Sequence, residues 1–281
     1  MGPSVVPIRQ SEARVRHAAS LSSAGVGSQG QAVRSLVRAL SILNSLAECP
    51  NGASLTELAQ QVGLSTSTTH RLLTTLEEQR YVRFEHTARL WMIGIQSFVT
   101  GSTFIKARNF TDIARPHMRA LMEETGETVN LAVPDSGEAV IVAQVECRQL
   151  MRALAAPGRR VLLHCSAVGK ALLATLSDAE VASILRRHGL PRFTPTTLTT
   201  VKRLREELDL AAERGYAVDN EEHSIGVRCI AAVIRDEHHE AVGAISVSGP
   251  AVRVTQARTA AFGGMVRRVA EIISAAYGGK S

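Results

Sequence analysis

A run of small hydroxyl side chains, followed by a histidine and an arginine, is the first part of this sequence whose chemistry suggests a ligand. Serine and threonine are poor residues for a helix interior, so their run across 65–69 weakens a helix there unless it contacts something. Hydroxyls and amide N–H groups hold phosphates, and arginine or histidine can reach a base edge. We therefore predict contacts with double-stranded DNA from six side chains, with an ordinary solvated helix face as the alternative: Ser65, Thr66, Ser67, Thr69, His70 and Arg71.

A second group of residues suggests a site for a small anion. The segment HCSAVGK (164–170) is a predicted strand end that runs into a helix, and free N–H groups at a helix N-terminus bind anions. Ser246 and Ser248 alternate along one predicted strand, so they face the same side of a sheet, or else face solvent. Lys170 could bind a carboxylate, but at this position it is more often solvated or paired with a glutamate such as Glu221 or Glu222.

The hydroxyl-rich segment belongs to a predicted helix-turn-helix. SLVRALSILNSLAE (35–48) has apolar residues at helical spacing, and S-L-T-E from Ser54 is a capping box that starts a second helix. Gly63 ends that helix in the left-handed conformation that glycine adopts without cost, and Ser65 caps the third. Leu72, Leu73 and Leu76 are expected to pack on the first two helices.

Two short β-like runs follow, YVRF (81–84) and RLWMI (89–93), and a hairpin after a helix-turn-helix is a wing. Arg83 and Arg89 are its candidates for phosphate or minor-groove contacts. From Ser97 to Glu124 the pattern is helical, with predicted interruptions at Gly101 and Pro116, and we interpret it as a linker helix.

The remaining sequence alternates strand and helix candidates. The strands are 129–133, 139–145, 229–236 and 241–249, and the helices are 166–176, 177–189, 200–215 and 254–278. This order predicts an α+β fold with a curved, largely antiparallel sheet. We divide the chain into a disordered tail (1–30), a winged helix-turn-helix domain (31–94), a linker helix region (95–125) and an overlapping effector domain (108–281).

Composition narrows the class of protein. The net charge is +6, and residues 1–92 carry +3 of it, which is compatible with phosphate contacts. There is no apolar run that suits a membrane span or signal peptide, so we expect a cytoplasmic protein. The four cysteines have no CxxC spacing, which predicts reduced thiols without a metal or cofactor.

Long stretches of both halves resemble the IclR family of bacterial regulators, over about 33–278. The stretches in the N-terminal half are SLVRALSIL and SLTELAQQVGLSTSTTHRLLTTL. Those in the C-terminal half are HCSAVGKALLA, RGYAVDNEEHSIGVRCIAA and ISVSGP. The resemblance implies a GAF-like effector domain and a repressor that binds a palindromic operator as a homodimer or homotetramer.

The resemblance also implies a target and an effector: glyoxylate-bypass (acetate utilisation) genes, with glyoxylate or pyruvate as the ligand. It places effector contacts at Ala167, Val168, Asp219, Cys229, Ser246 and Ser248, and a pocket wall at Leu150, Ala153, Val161 and Val227. Two departures matter. Arg80 stands where the family usually has glycine. In the effector site, Ala167 and Val168 replace the family's Gly-Ala pair, and Ala153 replaces a methionine.

Three alternative functions remain open from the sequence. An IclR-type repressor or activator could answer another small organic acid, because the same fold hosts many effectors. An enzyme would use a cysteine as nucleophile and a histidine as base, either Cys165 with His164 or Cys229 with His223. Neighbouring residues on a strand point to opposite faces, which argues against the pair of His164 and Cys165. A metal sensor would use His238 and His239, which more often are polar turn residues.

Overall fold

The computed structural model describes residues 32–108, 110–153 and 155–278. The tail predicted for 1–30 lies outside these residues. The chain divides into two compact units, the first ending at Lys106 and the second beginning at Ala107, and each is described by itself.

The first unit contains three helices, a hairpin and most of a fourth helix, which begins the predicted linker. The three helices and the hairpin strands are α1 (Arg34–Ala47), α2 (Leu55–Val62), α3 (Thr66–Glu78), β1 (Val82–Glu85) and β2 (Leu90–Ile93). The predicted helix-turn-helix and wing are therefore present. Their small core contains Ile42, Leu46, Leu58, Leu73, Val82 and Trp91, with Leu72 and Leu76 packed against it as expected. Leu36 and Leu40, which share the helical spacing of α1, are half exposed.

Local sequence signals set the ends of these helices. The Ser54 side chain accepts a hydrogen bond from Glu57 N, and the Glu57 side chain accepts from Ser54 N, which confirms the capping box. Ser65 caps α3 by accepting from Thr68 N. Gly63 has φ +65°, the left-handed conformation that the sequence predicted.

The predicted linker is helical but is not interrupted where we expected. Helix α4 (Ile95–Arg108) continues through Gly101, and α5 (Phe110–Thr125) continues through Pro116. The two predicted breaks are therefore wrong, because one glycine costs a helix only about 1 kcal/mol and tertiary packing of α5 outweighs the lost hydrogen bond at proline. Met118 and Leu121, which follow the proline, are fully buried.

The second unit is built on one six-stranded antiparallel sheet with strand order β5-β4-β3-β8-β7-β6. The strands are β3 (Thr128–Asp135), β4 (Glu138–Val145), β5 (Arg160–Leu162), β6 (Ala217–Asn220), β7 (Val227–Arg235) and β8 (Ala241–Pro250). The sequence predicted the four long strands and the antiparallel pairing. It missed the edge strands β5 and β6, which have only three and four residues.

Helices cover both faces of this sheet. On one face lie α5 and α9 (Thr259–Gly278), over a core that includes Val129, Leu131 and Val247. On the other lie α6 (Ala167–Leu173), α7 (Asp178–His188) and α8 (Val201–Arg214), over a core that includes Ala132, Ala231 and Ala244. The small alanines of the second face let α6 come close to the sheet. No helix in the described part of the chain is long and apolar enough to cross a membrane.

Candidate DNA-binding surface and effector site

Helix α3 presents its hydroxyl-rich N-terminal end to solvent. Ser65, Thr66, Ser67, His70 and Arg71 are all exposed, and they lie on the first two turns of the helix and its cap. A face of this kind can place donors against phosphates and base edges.

Thr69 does not belong to that face, which corrects our prediction. Its side chain is fully buried, and its hydroxyl donates to the carbonyl of Ser65 at 3.0 Å. A threonine inside a helix often satisfies its hydroxyl in this way. Thr69 therefore supports the cap of α3 and is not available for DNA.

The wing carries two exposed arginines. Arg83 in β1 lies 3.4 Å from the Glu85 carboxylate, an exposed ion pair that contributes little to stability and is easily exchanged for another anion. Arg89 lies in the turn before β2 with φ +55°. Both side chains are accessible from solvent, as contacts with DNA require.

Arg80 occupies the turn between α3 and the wing, and its φ is +60°. The Tyr81 N–H donates to Leu76 O at 2.9 Å and the Arg80 N–H to Glu77 O at 2.8 Å, which is the Schellman pattern at a helix C-terminus. The departure noted in the sequence therefore places a side chain where the backbone favours glycine.

The candidate effector residues of the sheet share one face. In the strand register Asp219 lies opposite Cys229, and Cys229 lies opposite Ser248. Ser246 is two residues from Ser248 on β8 and so points to the same side. This is the face that α6 covers, since the intervening small residues Ala231 and Ala244 belong to its core. The structure thus brings together residues from three successive strands, β6, β7 and β8.

The two serines differ in their hydrogen bonding. Ser248 Oγ accepts from Asn130 Nδ2 at 3.2 Å, and the Asn130 Oδ1 accepts from Gln144 Nε2 at 2.9 Å. Ser246 is 3% exposed, and no hydrogen bond joins its side chain to another described residue. The Ser246 hydroxyl is therefore available to bond a ligand oxygen that reaches this face.

Asp219 is the buried carboxylate of this face. Its Oδ1 accepts from Glu222 N at 2.7 Å and from His223 N at 3.4 Å, which holds the turn after β6. Burial, with the nearby Glu222 carboxylate, raises the pKa of Asp219 to about 7. Its protonated form is therefore well populated at neutral pH, where it can donate to a ligand or accept from one.

Cys229 and Cys165 are poor nucleophiles here. Burial raises the pKa of Cys229 to about 12, and burial with the Asp219 charge raises the pKa of Cys165 as well. Neither cysteine–histidine pair proposed for an enzyme appears in the contacts; the structure instead brings Cys165 Sγ to 3.8 Å from His223 Nδ1. Burial lowers the pKa of His223 to about 4.

Helix α6 places Ala167 and Val168 in the core at its first turn, 2% and 5% exposed. Ser166 caps the helix by accepting from Gly169 N at 3.1 Å. Gly169 is required, because a Cβ there would lie 2.3 Å from Leu163 Cα. The tight approach fixes the start of α6 against the chain that follows β5.

Lys170, one turn further along α6, is fully buried. Its Nζ donates to Glu222 Oε1 at 2.5 Å and lies 3.9 Å from Glu207 Oε1. The sequence left open whether Lys170 is solvated or paired with a glutamate. The structure pairs it with Glu222, so the prediction of a solvated side chain is wrong. Burial raises the pKa of Glu222, and the Lys170 ammonium opposes that rise.

The predicted pocket wall is only partly assembled. Val161 is buried and Ala153 and Val227 are half-buried, but Leu150 is 99% exposed and contacts almost nothing. Leu150 is therefore not a wall residue in this structure, a correction that follows from its place in the irregular segment between β4 and β5. Two cavities of about 370 and 560 Å³ lie elsewhere, the first beside Glu207 and the second beside Arg228, and neither includes the six effector residues.

The histidines considered for a metal lie in the turn between β7 and β8, as predicted. His238 is exposed and its ring lies 3.7 Å from the Glu237 carboxylate. Within the described residues, no three side chains of histidine, cysteine, aspartate or glutamate are placed to hold a metal ion. All four cysteines are free thiols.

Sequence reasoning missed Asn130, Gln144 and the buried role of Glu222. A signal for the first two was present, since each is a polar residue in an otherwise apolar strand run. Their joint significance required the register of β3 with β4, which places Asn130 directly opposite Gln144.

Two family models match the chain, one for each unit. The IclR helix-turn-helix domain matches residues 35–86, and the bacterial transcriptional regulator IclR C-terminal domain matches residues 102–275. The chain belongs to the IclR family.

Individual relatives agree with both matches. The transcriptional repressor IclR of Escherichia coli K12 is 48% identical over 249 residues, which cover 88% of this chain and 91% of that protein. The acetate operon repressor of Salmonella typhimurium LT2 is 46% identical over the same shares of the two chains. The crystal structure of the Thermotoga maritima IclR is 32% identical with a TM-score of 0.70, covering 87% of this chain and 99% of that one.

This IclR-family protein is a DNA-binding transcriptional repressor with a C-terminal effector-binding domain. The winged helix-turn-helix of the first unit is its DNA-binding part, and the second unit is its effector-binding domain.

Proposed function

We propose that this repressor controls genes of acetate utilisation by the glyoxylate bypass and that glyoxylate or pyruvate is its effector. The relative named for the acetate operon supports the target. The observation that supports the ligand is that the hydroxyls of Ser246 and Ser248 lie on one sheet face with the buried Asp219 carboxylate.

These groups suit a small 2-oxo acid. The hydroxyls of Ser246 and Ser248 can donate to a carboxylate, and protonated Asp219 can donate to the carbonyl or accept from its hydrate. Cys229, Ala167 and Val168 would surround the ligand with little room for a larger side chain. Glyoxylate has few atoms, so at roughly −1.5 kcal/mol per heavy atom its binding is micromolar at best.

For the DNA, we propose that Ser65, Thr66, Ser67, His70 and Arg71 contact the major groove and that Arg83 and Arg89 contact flanking phosphates or the minor groove. We propose a palindromic operator read by a homodimer or homotetramer, because two half-sites require paired readers. Sedimentation of the full chain with and without operator DNA tests the assembly, and a monomer in both conditions would contradict it.

The ligand is tested by calorimetry on the full chain with glyoxylate, pyruvate, a panel of other small acids, and glycolaldehyde as a control without a carboxylate. We expect saturable binding of glyoxylate or pyruvate between micromolar and millimolar concentration, lost in Ser246→Ala and Asp219→Ala, and none of glycolaldehyde. Binding of another acid alone would assign the repressor to a different operon. Unchanged binding in both variants would remove these residues from the site.

A further inference from the structure

Three polar side chains from adjacent strands form a buried hydrogen-bonded chain that ends at Ser248. Gln144 on β4 donates from Nε2 to Asn130 Oδ1 at 2.9 Å, and Asn130 on β3 donates from Nδ2 to Ser248 Oγ at 3.2 Å. Asn130 is 3% exposed and Ser248 is 5% exposed. The chain lies on the same sheet face as Asp219 and Ser246.

This chain has a direction, which depends on the group that Gln144 presents to Asn130. An asparagine amide accepts at one end and donates at the other, and the Gln144 amide occupies the accepting end. Asn130 must then present its NH₂ group to Ser248. Because the Ser248 oxygen is accepting, its single hydrogen points away from Asn130, towards the side where Cys229 lies opposite in the register.

The burial of Asn130 makes turning its amide alone costly. That turn would place the Asn130 oxygen against Ser248 and its NH₂ against the NH₂ of Gln144, so the direction reverses only if the Gln144 amide turns over as well. The strand pairs β3–β4 and β3–β8 also fix the distance between the three side chains.

We propose that Asn130, held by Gln144, is a positioning residue that keeps the Ser248 hydroxyl aimed as a hydrogen-bond donor at the carboxylate of the effector. This inference rests on the proposed function and deepens it. According to this inference, the site prefers an anion because an uncharged hydrogen-bond network presents a donor to it. No free positive charge is needed, and the buried Lys170 is already paired with Glu222. Asn130 acts through Ser248 and need not touch the ligand.

Asn130→Asp is the sharpest test, because the two side chains have the same shape. An aspartate accepts at both oxygens, so the Ser248 hydroxyl would turn to donate to it and would no longer donate to the ligand. We expect the affinity for glyoxylate or pyruvate, measured by calorimetry on the full chain, to fall by about tenfold or more.

Gln144→Glu gives the same reversal from one residue further away. A glutamate at 144 accepts, so the Asn130 amide turns to donate to it and offers its oxygen to Ser248. We expect a loss in the same direction. If Asn130→Asp does not fold, as judged by thermal unfolding and binding of operator DNA, Gln144→Glu tests the proposal by itself.

A double-mutant cycle with Ser248→Ala separates positioning from other effects. If Asn130 acts through the Ser248 hydroxyl, Asn130→Asp costs little further affinity once that hydroxyl is gone. Direct repulsion of the ligand by the new carboxylate, or general damage to the fold, would cost the same in both backgrounds. Equal losses in the two backgrounds would therefore overturn the proposal.

The outcomes separate this inference from the proposed function. If the unaltered chain binds neither glyoxylate nor pyruvate, the proposed function fails and this inference fails with it. If the unaltered chain binds one of them and the two variants bind it equally well, only the role of Asn130 is refuted.

Discussion

In the DNA-binding unit the candidate contact residues project from one exposed helix end and an exposed hairpin, whereas in the effector unit they lie buried on neighbouring strands. Arg71 and Ser67 are exposed, and packing in the core therefore does not restrict which residue types can occupy these positions. Asp219, Ser246 and Ser248 are at most 5% exposed and lie within the core of their unit. The DNA surface can therefore be altered without loss of the fold, while the effector site and the stability of its unit are coupled.

The largest expected effect is that of Lys170→Met, which removes the cation from a buried pair. Glu222 would keep a buried charge without a partner, and breaking such a pair costs about 3–5 kcal/mol of unfolding free energy. Urea unfolding followed by circular dichroism measures the loss. Lys202→Met on exposed α8 is the matched control and should change stability by less than about 0.5 kcal/mol.

A second change tests the origin of that loss. In Lys170→Met combined with Glu222→Gln the uncompensated charge is gone, so part of the stability should return. A single variant as stable as the unaltered chain would show that the buried pair is not coupled to the fold, and the contrast between the two units would then be wrong.

Arg71→Ala should have the opposite profile, with a functional effect and no structural one. If Arg71 reads a base, specific operator affinity falls by about 1–3 kcal/mol while the unfolding free energy stays unchanged. Fluorescence anisotropy with operator and random DNA measures both affinities. An equal loss on random DNA would reassign Arg71 to a phosphate, and Thr69→Ala serves as a neighbouring buried change that acts through stability.

Asp219→Asn should change stability in a way that depends on pH. Burial raises the Asp219 pKa from 3.8 to about 7, so the protonated form favours the folded state. The stability that Asp219 contributes is fully present below about pH 4 and is lost as the pH rises through about 7. An asparagine stays neutral and its oxygen can still accept from Glu222 N.

The stability of the Asp219→Asn variant relative to the unaltered chain should therefore increase from pH 5 to pH 8, by about 2–3 kcal/mol. Thermal unfolding at a series of pH values measures the difference. Asp209→Asn, on the exposed side of α8, is the control and should give a flat difference. A flat profile for Asp219→Asn would mean that its carboxylate is not held in a low-dielectric site.

The same contrast explains what could be predicted from the sequence. The helix-turn-helix depends on local signals, such as the Ser54 capping box and Gly63, and these are readable over a few residues. The residues of the effector site came from the family resemblance, because no local pattern relates Asp219 to Ser248. Only the strand register joins them, through Cys229.

The errors have the same physical origin. Thr69 shares the hydroxyl chemistry of its neighbours, and only the packing of α3 shows that it points inward. The two edge strands are too short to give a periodic signal, and the breaks expected at Gly101 and Pro116 were prevented by tertiary contacts that local propensity does not include.

The smallest expected effects come from two turns of the DNA-binding unit that have the same geometry. Gly63 ends α2 at φ +65° and Arg80 ends α3 at φ +60°. In each, the next residue donates to the carbonyl five positions back: Leu64 N to Ala59 O, and Tyr81 N to Leu76 O. The left-handed conformation costs a residue with a Cβ roughly 1–2 kcal/mol, and glycine avoids that cost.

Arg80→Gly should therefore stabilise the unit by about 0.5–1 kcal/mol, the relief of strain being offset in part by the greater freedom of glycine in the unfolded chain. Gly63→Ala should destabilise it by about 1 kcal/mol, and since no atom lies within 4 Å of a Cβ built there, that loss is conformational. Arg80→Ala keeps the Cβ and should gain nothing, so thermal unfolding of the three variants separates the backbone from the charge. If Arg80→Gly stabilises the fold but weakens operator binding, the arginine is retained at this turn for contact with DNA. The DNA-binding surface of the first unit then includes this turn as well as α3 and the wing.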